Sequence, residues 1–195
     1  MPFVGLTGGM GAGKSTALAA LERLGAAVLS TDAVVHELYA GDPRLRAAMV
    51  ERWGEEVAPG GVVDRAAVAR RAFADEAEWR WLEGVVWPLV GERVAAWIAH
   101  SRERTPPPRA AVVEVPLLFE AGMEGLYDAT IAVLAPEELR RERAAARGHE
   151  LQDERAARQL SQEEKAARAT FAVCNDGSEQ ELAGRLEEVL EELRG

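Results

Sequence analysis

A chain of 195 residues, 48% of them hydrophobic, can core one domain, with or without an inserted lobe. Its formal charge of -10 at pH 7 is the wrong sign for a general nucleic-acid binder, although one basic pocket would suffice for a small anion. No apolar run approaches the roughly 18 residues of a membrane span, no secretory signal is visible, and a single cysteine, Cys174, allows no intrachain disulfide, so the expectation is a cytoplasmic chain with no membrane and no nucleic-acid partner.

The first element in chain order is Phe3-Val4-Gly5-Leu6, short, apolar and β-type. It runs into GLTGGMGAGKST, residues 5–16, which holds five glycines in twelve positions. Within that run Gly8-x4-Gly13-Lys14-Ser15 is the full phosphate-loop spacing. Glycine lets successive backbone N–H groups turn inward around an anion. The amides of Gly9, Met10, Gly11, Ala12 and Gly13 are therefore candidate donors to the phosphates of ATP. A helix read over 13–24, with Ala17, Leu18, Leu21 and Leu24 at helical spacing, adds the partial positive charge of its N-terminus. Lys14 is placed to reach the β- and γ-phosphates, the Ser15 hydroxyl to ligate Mg2+, and Thr16 to sit near the α-phosphate. Of the 23 basic residues only Lys14 and Lys165 are lysines. An arginine fork would not replace a compact ammonium in so tight a loop. The competing reading is a glycine-rich turn before a helix.

AAVLSTD, residues 26–32, reads as a second strand ending at Asp32. Residues 33–108 then break the alternation with four helical stretches, VVHELYAG, RLRAAMVERWG, DRAAVARRAF and EAEWRWLEGVVWPLVGERVAAWIAHSRER. All five tryptophans lie here, and TPPPR at 105–109 punctuates the end. Core packing of a small helical lobe would account for the indoles. The third strand is RAAVVEVPLLF (109–119), the fourth ATIAVLA (129–135) and the fifth FAVCN (171–175). Helices are expected over 136–147, about 152–169, and 178–194, the last a surface helix with an apolar stripe. Strands alternating with helices imply an α/β fold, a parallel sheet flanked by helices, with ligands at the carboxyl ends of the strands. The organisation expected is a phosphate-loop kinase core over 1–32 and 109–195, carrying a lid over about 136–160, with a helical acceptor-binding insertion over 33–108.

A GTPase would carry Asn-Lys-x-Asp, and neither lysine follows an asparagine. An AAA-type or ABC-type ATPase would show an apolar strand ending in Asp-Glu, which AVVEVPLL does not. Small-molecule kinases are left. The chain resembles the dephospho-CoA kinase family over nearly its whole length. The opening run GLTGGMGAGKST, the STDAVVHEL segment with Asp32 and His36, VVDRAAVARRAF with Asp64, Arg65 and Phe73, and EVPLLFE at 114–120 carry the resemblance. PEELRRERAAAR is similar to the family's lid helix, with Arg143 and Arg147, and QEEKAARATFAVCNDGS to the segment before its last helix, with Asn175 and Gly177. The chain departs from the family at Trp87-Pro88, where His-Pro is usual, at Ser30, at Cys174, and in a lid turn about three residues shorter.

The resemblance implies transfer of the ATP γ-phosphoryl group to the ribose 3′-hydroxyl of dephospho-CoA, the last step of coenzyme A synthesis, with Mg2+, in a monomer or weak homo-oligomer. Asp32, Lys14 and Arg143 are then the catalytic candidates. The loop, Arg143, Arg147 and Asn175 would bind ATP, and Asp32, His36, Arg65 and Leu117 would bind the acceptor. The residues themselves leave alternatives open at several positions. Asp32 could accept the acceptor's proton or cap a helix, and Arg143 and Arg147, four apart, could close on phosphate or form a solvated face. Glu114 could hold Mg2+ through water or face a polar cleft. His36 could touch substrate or pack at the surface, and Arg65 could bind an anionic arm or pair with Asp64 or a nearby carboxylate. Another small-molecule or nucleotide kinase, and a nucleotide-binding regulator without turnover, are the other readings of the whole chain.

Overall fold

Five parallel strands are ordered β2-β3-β1-β4-β5 in the computed structural model, which describes residues 1–146 and 159–194. They are β1 Phe3–Gly8, β2 Ala27–Ser30, β3 Ala111–Glu114, β4 Ala129–Leu134 and β5 Phe171–Cys174. Their near-continuous apolar sequences are those of strands covered on both faces. β1 lies in the middle, with Leu6 beside Glu114 of β3 and Gly8 beside Val133 of β4. The described residues fall into two compact units, Met1–Ser30 with His100–Gly195, and Thr31–Ala99.

The larger unit holds the sheet together with α1 Lys14–Arg23, α6 Glu137–Ala146, α7 Gln162–Arg168 and α8 Glu179–Glu192. Ala17 and Leu21 of α1 and Leu182, Leu186, Val189 and Leu190 of α8 join Leu6, Val112, Ile131 and Val133 in one core. Each fully buried leucine or isoleucine contributes on the order of 1.5–3 kcal/mol. The α8 residues recur at four, seven and eight positions, the stripe that periodicity predicts. Ser178 and Glu181 close a capping box at its start, and Ser161 and Glu164 do the same for α7.

The smaller unit is helical: α2 Thr31–Gly41, α3 Pro43–Trp53, α4 Arg65–Ala72, and α5 through Ala99, the helix itself running Glu76–Arg102 with Pro88 inside it. Asp42 caps α3 and Asp64 caps α4. Trp53 meets Trp81 edge-on at 4.8 Å and donates its indole N–H to Glu78 at 2.7 Å, while Trp79 stacks on Phe73 at 4.9 Å. Packing of the lobe accounts for these three indoles.

Two strands are shorter than their sequences predict. β2 stops at Ser30 because α2 already begins at Thr31, so Asp32 lies in the first turn of a helix rather than closing the strand. β3 stops at Glu114 rather than running to 119. Pro116 has no N–H for a ladder, and the apolar Leu118 and Phe119 after it are buried from a turn. The helix predicted over about 152–169 is described only as α7.

Candidate active site

β1 delivers the chain at Gly8 into a loop that ends where α1 begins, with Gly13 as its N-cap. Gly13 supplies no side-chain acceptor, so the first-turn N–H groups of α1 suit an external anion. Gly11 and Gly13 have φ of 75° and 93°, which a side chain would strain. A Cβ would also be driven into the Arg140 carbonyl at Gly11 and into the Asn175 amide at Gly13. Lys14 curls back over the loop, its Nζ 3.0 Å from the Gly8 carbonyl oxygen and 3.3 Å from that of Gly9. Ser15 is exposed and Thr16 half-buried on the first turn.

Asn175 fastens this loop to the end of β5. Its backbone N–H donates to Leu134 at 2.7 Å, its side-chain amide donates to the Ala12 carbonyl at 2.9 Å, and its own carbonyl accepts Arg143 at 3.2 Å. The phosphate loop, Asn175 and Arg143 are thus brought together within one unit. Arg140 joins them unforeseen: its Nε donates to the Met10 carbonyl at 3.0 Å, and its backbone lies against Gly11. It precedes Arg143 by three residues, so helical spacing alone puts both on one face of α6. A cavity of about 200 Å³ opens between Gly9, Arg140, Leu160 and Gln162. Arg147, with the rest of the lid segment through 158, lies outside the described residues.

Behind the loop, β3 ends in Glu114, buried and level with Leu6 and Ser30 of the flanking strands. Pro116 and the half-buried Leu117 follow. The Pro116 carbonyl accepts the Thr7 hydroxyl at 3.1 Å and the Lys165 ammonium at 2.9 Å. Lys165 also pairs with Glu120 at 2.8 Å. Burial pushes the Lys165 pKa below its ordinary value, and the bond and charge of Glu120 oppose that shift.

In the smaller unit Asp32 is exposed, in the first turn of α2 and on the favourable side of its dipole. His36 stands one turn later, and its Nδ1 is 2.8 Å from a guanidinium nitrogen of Arg65, which also lies 5.8 Å over the Tyr39 ring. Arginine only donates, so Nδ1 is the acceptor in this bond. Asp64 is engaged in capping α4, accepting Ala66 at 2.9 Å and Ala67 at 3.1 Å, and Arg65 hydrogen-bonds His36. Among the described residues no group of three or more His, Cys, Asp or Glu could hold a metal. The exposed Ser15 hydroxyl beside the phosphate loop is what fits Mg2+, an ion that takes few protein ligands and shares phosphate oxygens.

The parallel sheet with a phosphate loop at the carboxyl end of its central strand defines a P-loop kinase fold. Shikimate kinase from Acinetobacter baumannii shares that fold, with a TM-score of 0.53 at 16% identity over 100% of this chain and 95% of its own. The CoaE dephospho-CoA kinase family model matches residues 2–181. Dephospho-CoA kinase of Anaeromyxobacter dehalogenans is 40% identical over 200 residues, covering 100% of this chain and 93% of the relative. That of Deinococcus radiodurans is 40% identical over 193 residues, covering 97% and 91%. Among solved structures, TT1252 from Thermus thermophilus superposes with a TM-score of 0.81 at 37% identity, covering 100% and 99% of the two chains. The chain belongs to the dephospho-CoA kinase family.

Proposed function

We propose that the phosphate loop holds the donor and Asp32 serves the acceptor in the reaction this chain performs, transfer of the γ-phosphoryl group of ATP to the ribose 3′-hydroxyl of dephospho-CoA. Phosphoryl transfer needs positioning and charge neutralisation more than covalent help from the protein. Loop amides from Gly9 to Gly13, the Lys14 ammonium, Ser15 and Thr16 receive the triphosphate. The observation that carries this is an α1 start without a side-chain cap, with Lys14 folded over the loop carbonyls. Mg2+ supplies further neutralisation when bound, and Ser15, with Glu114 through water, is the residue set that would hold it. Arg143, with Arg147, offsets charge on the transferring group, and Asn175 borders the adenine.

On the acceptor side the insertion over 33–108 contributes His36 and Arg65, and Leu117 meets the substrate from the β3 turn. Asp32 accepts the 3′-hydroxyl proton as that oxygen bonds to the γ-phosphorus. The bond from that phosphorus to the bridging oxygen breaks, and ADP leaves with the electron pair. We read the reaction as cytoplasmic, in a monomer or weak homo-oligomer. Asp32→Asn tests the assignment. Asparagine caps about as well as aspartate, so a capping role leaves kcat nearly unchanged. A base predicts ATP affinity within a few-fold and a kcat loss on the order of 10²-fold or more. An acceptor screen with ATP tests the choice of dephospho-CoA over other small-molecule alcohols.

A further inference from the structure

Lys165, the second of the chain's two lysines, is wholly buried. Its ammonium meets three acceptors: Pro116 O at 2.9 Å, Glu120 Oε1 at 2.8 Å and Thr7 Oγ1 at 3.4 Å. Lysine has three donors, so the group is fully used. Each acceptor is informative. Thr7 is the residue before Gly8, whose carbonyl accepts Lys14, so the two lysines hold adjacent residues at the exit of β1. Pro116 is the residue before Leu117 and has no N–H of its own, so its carbonyl is fixed to the sheet by the Thr7 hydroxyl and Lys165 instead. Glu120 ends the same turn, accepts the Leu160 N–H at 2.8 Å through the oxygen that Lys165 uses, and keeps its other oxygen buried with no hydrogen-bond partner among the described residues.

A buried ion pair is an uneconomical way to gain stability, because apolar residues of the same volume commonly do as well. What an apolar pair could not do is hold the Pro116 carbonyl and the Thr7 hydroxyl in one place. We infer that Lys165 is a positioning residue for the acceptor: by clamping the β3 exit turn to the end of β1, it sets where Leu117 stands relative to the phosphate loop. The inference rests on the reading of Leu117 as an acceptor contact.

Steady-state kinetics, ATP affinity and melting temperature of four variants test it. Lys165→Met keeps the length and removes the donors. It should raise KM for dephospho-CoA by about tenfold while ATP affinity stays within about threefold. It should also lower the melting temperature, since Glu120 is left buried and unpaired. Lys165→Met with Glu120→Gln removes that orphaned charge and keeps an acceptor for Leu160. It should recover the melting temperature but not KM. Recovery of both together, or an equal loss of ATP affinity in Lys165→Met, would reduce the pair to a structural one and overturn the inference. Should Lys165→Met not fold, Thr7→Val decides: losing one hydroxyl at nearly constant volume should move the acceptor KM about threefold, and an unmoved KM overturns the role. Leu117→Ala separates the two readings. An unmoved acceptor KM there refutes Leu117 as a contact. A raised KM there with none in Lys165→Met refutes only the positioning.

Discussion

The carboxylate of Asp42 is buried at the start of α3, where it accepts the N–H groups of Arg44 at 2.9 Å and Leu45 at 3.2 Å. Burial alone would push its pKa up. The Arg44 side chain, the two backbone N–H groups and the Arg44 charge outweigh it and hold the group below its ordinary 3.8. A depressed carboxylate contributes stability that is present above its unfolded pKa and lost as pH falls through the folded one. Urea unfolding of wild type and Asp42→Asn should therefore differ most at neutral pH, with the gap closing below about pH 3.8. Asparagine keeps the cap and discards only the charge, whereas Asp42→Ala should cost about 1–2 kcal/mol at neutral pH. Equal stability of wild type and Asp42→Asn at every pH would assign Asp42 to capping alone.

Arg109 acts at the scale of an element, tying the entry of β3 to α8. It donates to both Glu187 oxygens at 2.7 and 2.8 Å, to the Leu24 carbonyl at 3.3 Å, and to Glu191. Its side chain is 15% exposed, but those of Glu187 and Glu191 are 41% and 58%, so water screens the pairs. Arg109→Met, which keeps the buried stem, should lower unfolding free energy by about 1 kcal/mol and leave ATP affinity unchanged. A change in nucleotide binding without a change in stability would place Arg109 in the site instead. The same scale explains what was legible. The phosphate loop could be read because backbone demands at Gly11 and Gly13 and the uses of Lys14 and Ser15 fix residue type and spacing together. The β-type runs and the α8 stripe could be read from periodicity. Arg140 could not, since its part follows from how closely α6 approaches Gly11, a distance no local pattern encodes. Nor could Lys165: nothing in QEEKAAR marks its lysine as buried, and the groups that meet its ammonium are Thr7, Pro116 and Glu120, more than 40 residues away. Asp32 lies in the first turn of α2 rather than at the end of β2, because Ser-Thr-Asp after a strand serves a strand end and a helix start equally well.

Across the whole molecule the reporters and the loop are divided. All five tryptophans, from Trp53 to Trp97, belong to the smaller unit, and the phosphate loop belongs to the larger. If the insertion receives the acceptor, dephospho-CoA should change indole emission more than ATP does, through direct contact or closure of the lobe. Titration of each ligand alone checks this. A large response to ATP with none to dephospho-CoA would move the acceptor site out of the insertion.

The burial of Lys165 also gives the protein a selective handle for covalent labelling. With 21 of its 23 basic side chains arginine, the folded chain carries two ε-amines, and one of them is sealed at 0% exposure. Of these two, an amine-directed acylating reagent should therefore mark Lys14 and spare Lys165 until the chain unfolds. Peptide mapping after brief acetylation should find Lys14 modified in the absence of nucleotide and protected in proportion to the ATP added. A single mass shift would then read the occupancy of the donor site directly, with no engineered tag. Early acetylation of Lys165 in the folded chain would show that its enclosure opens readily in solution.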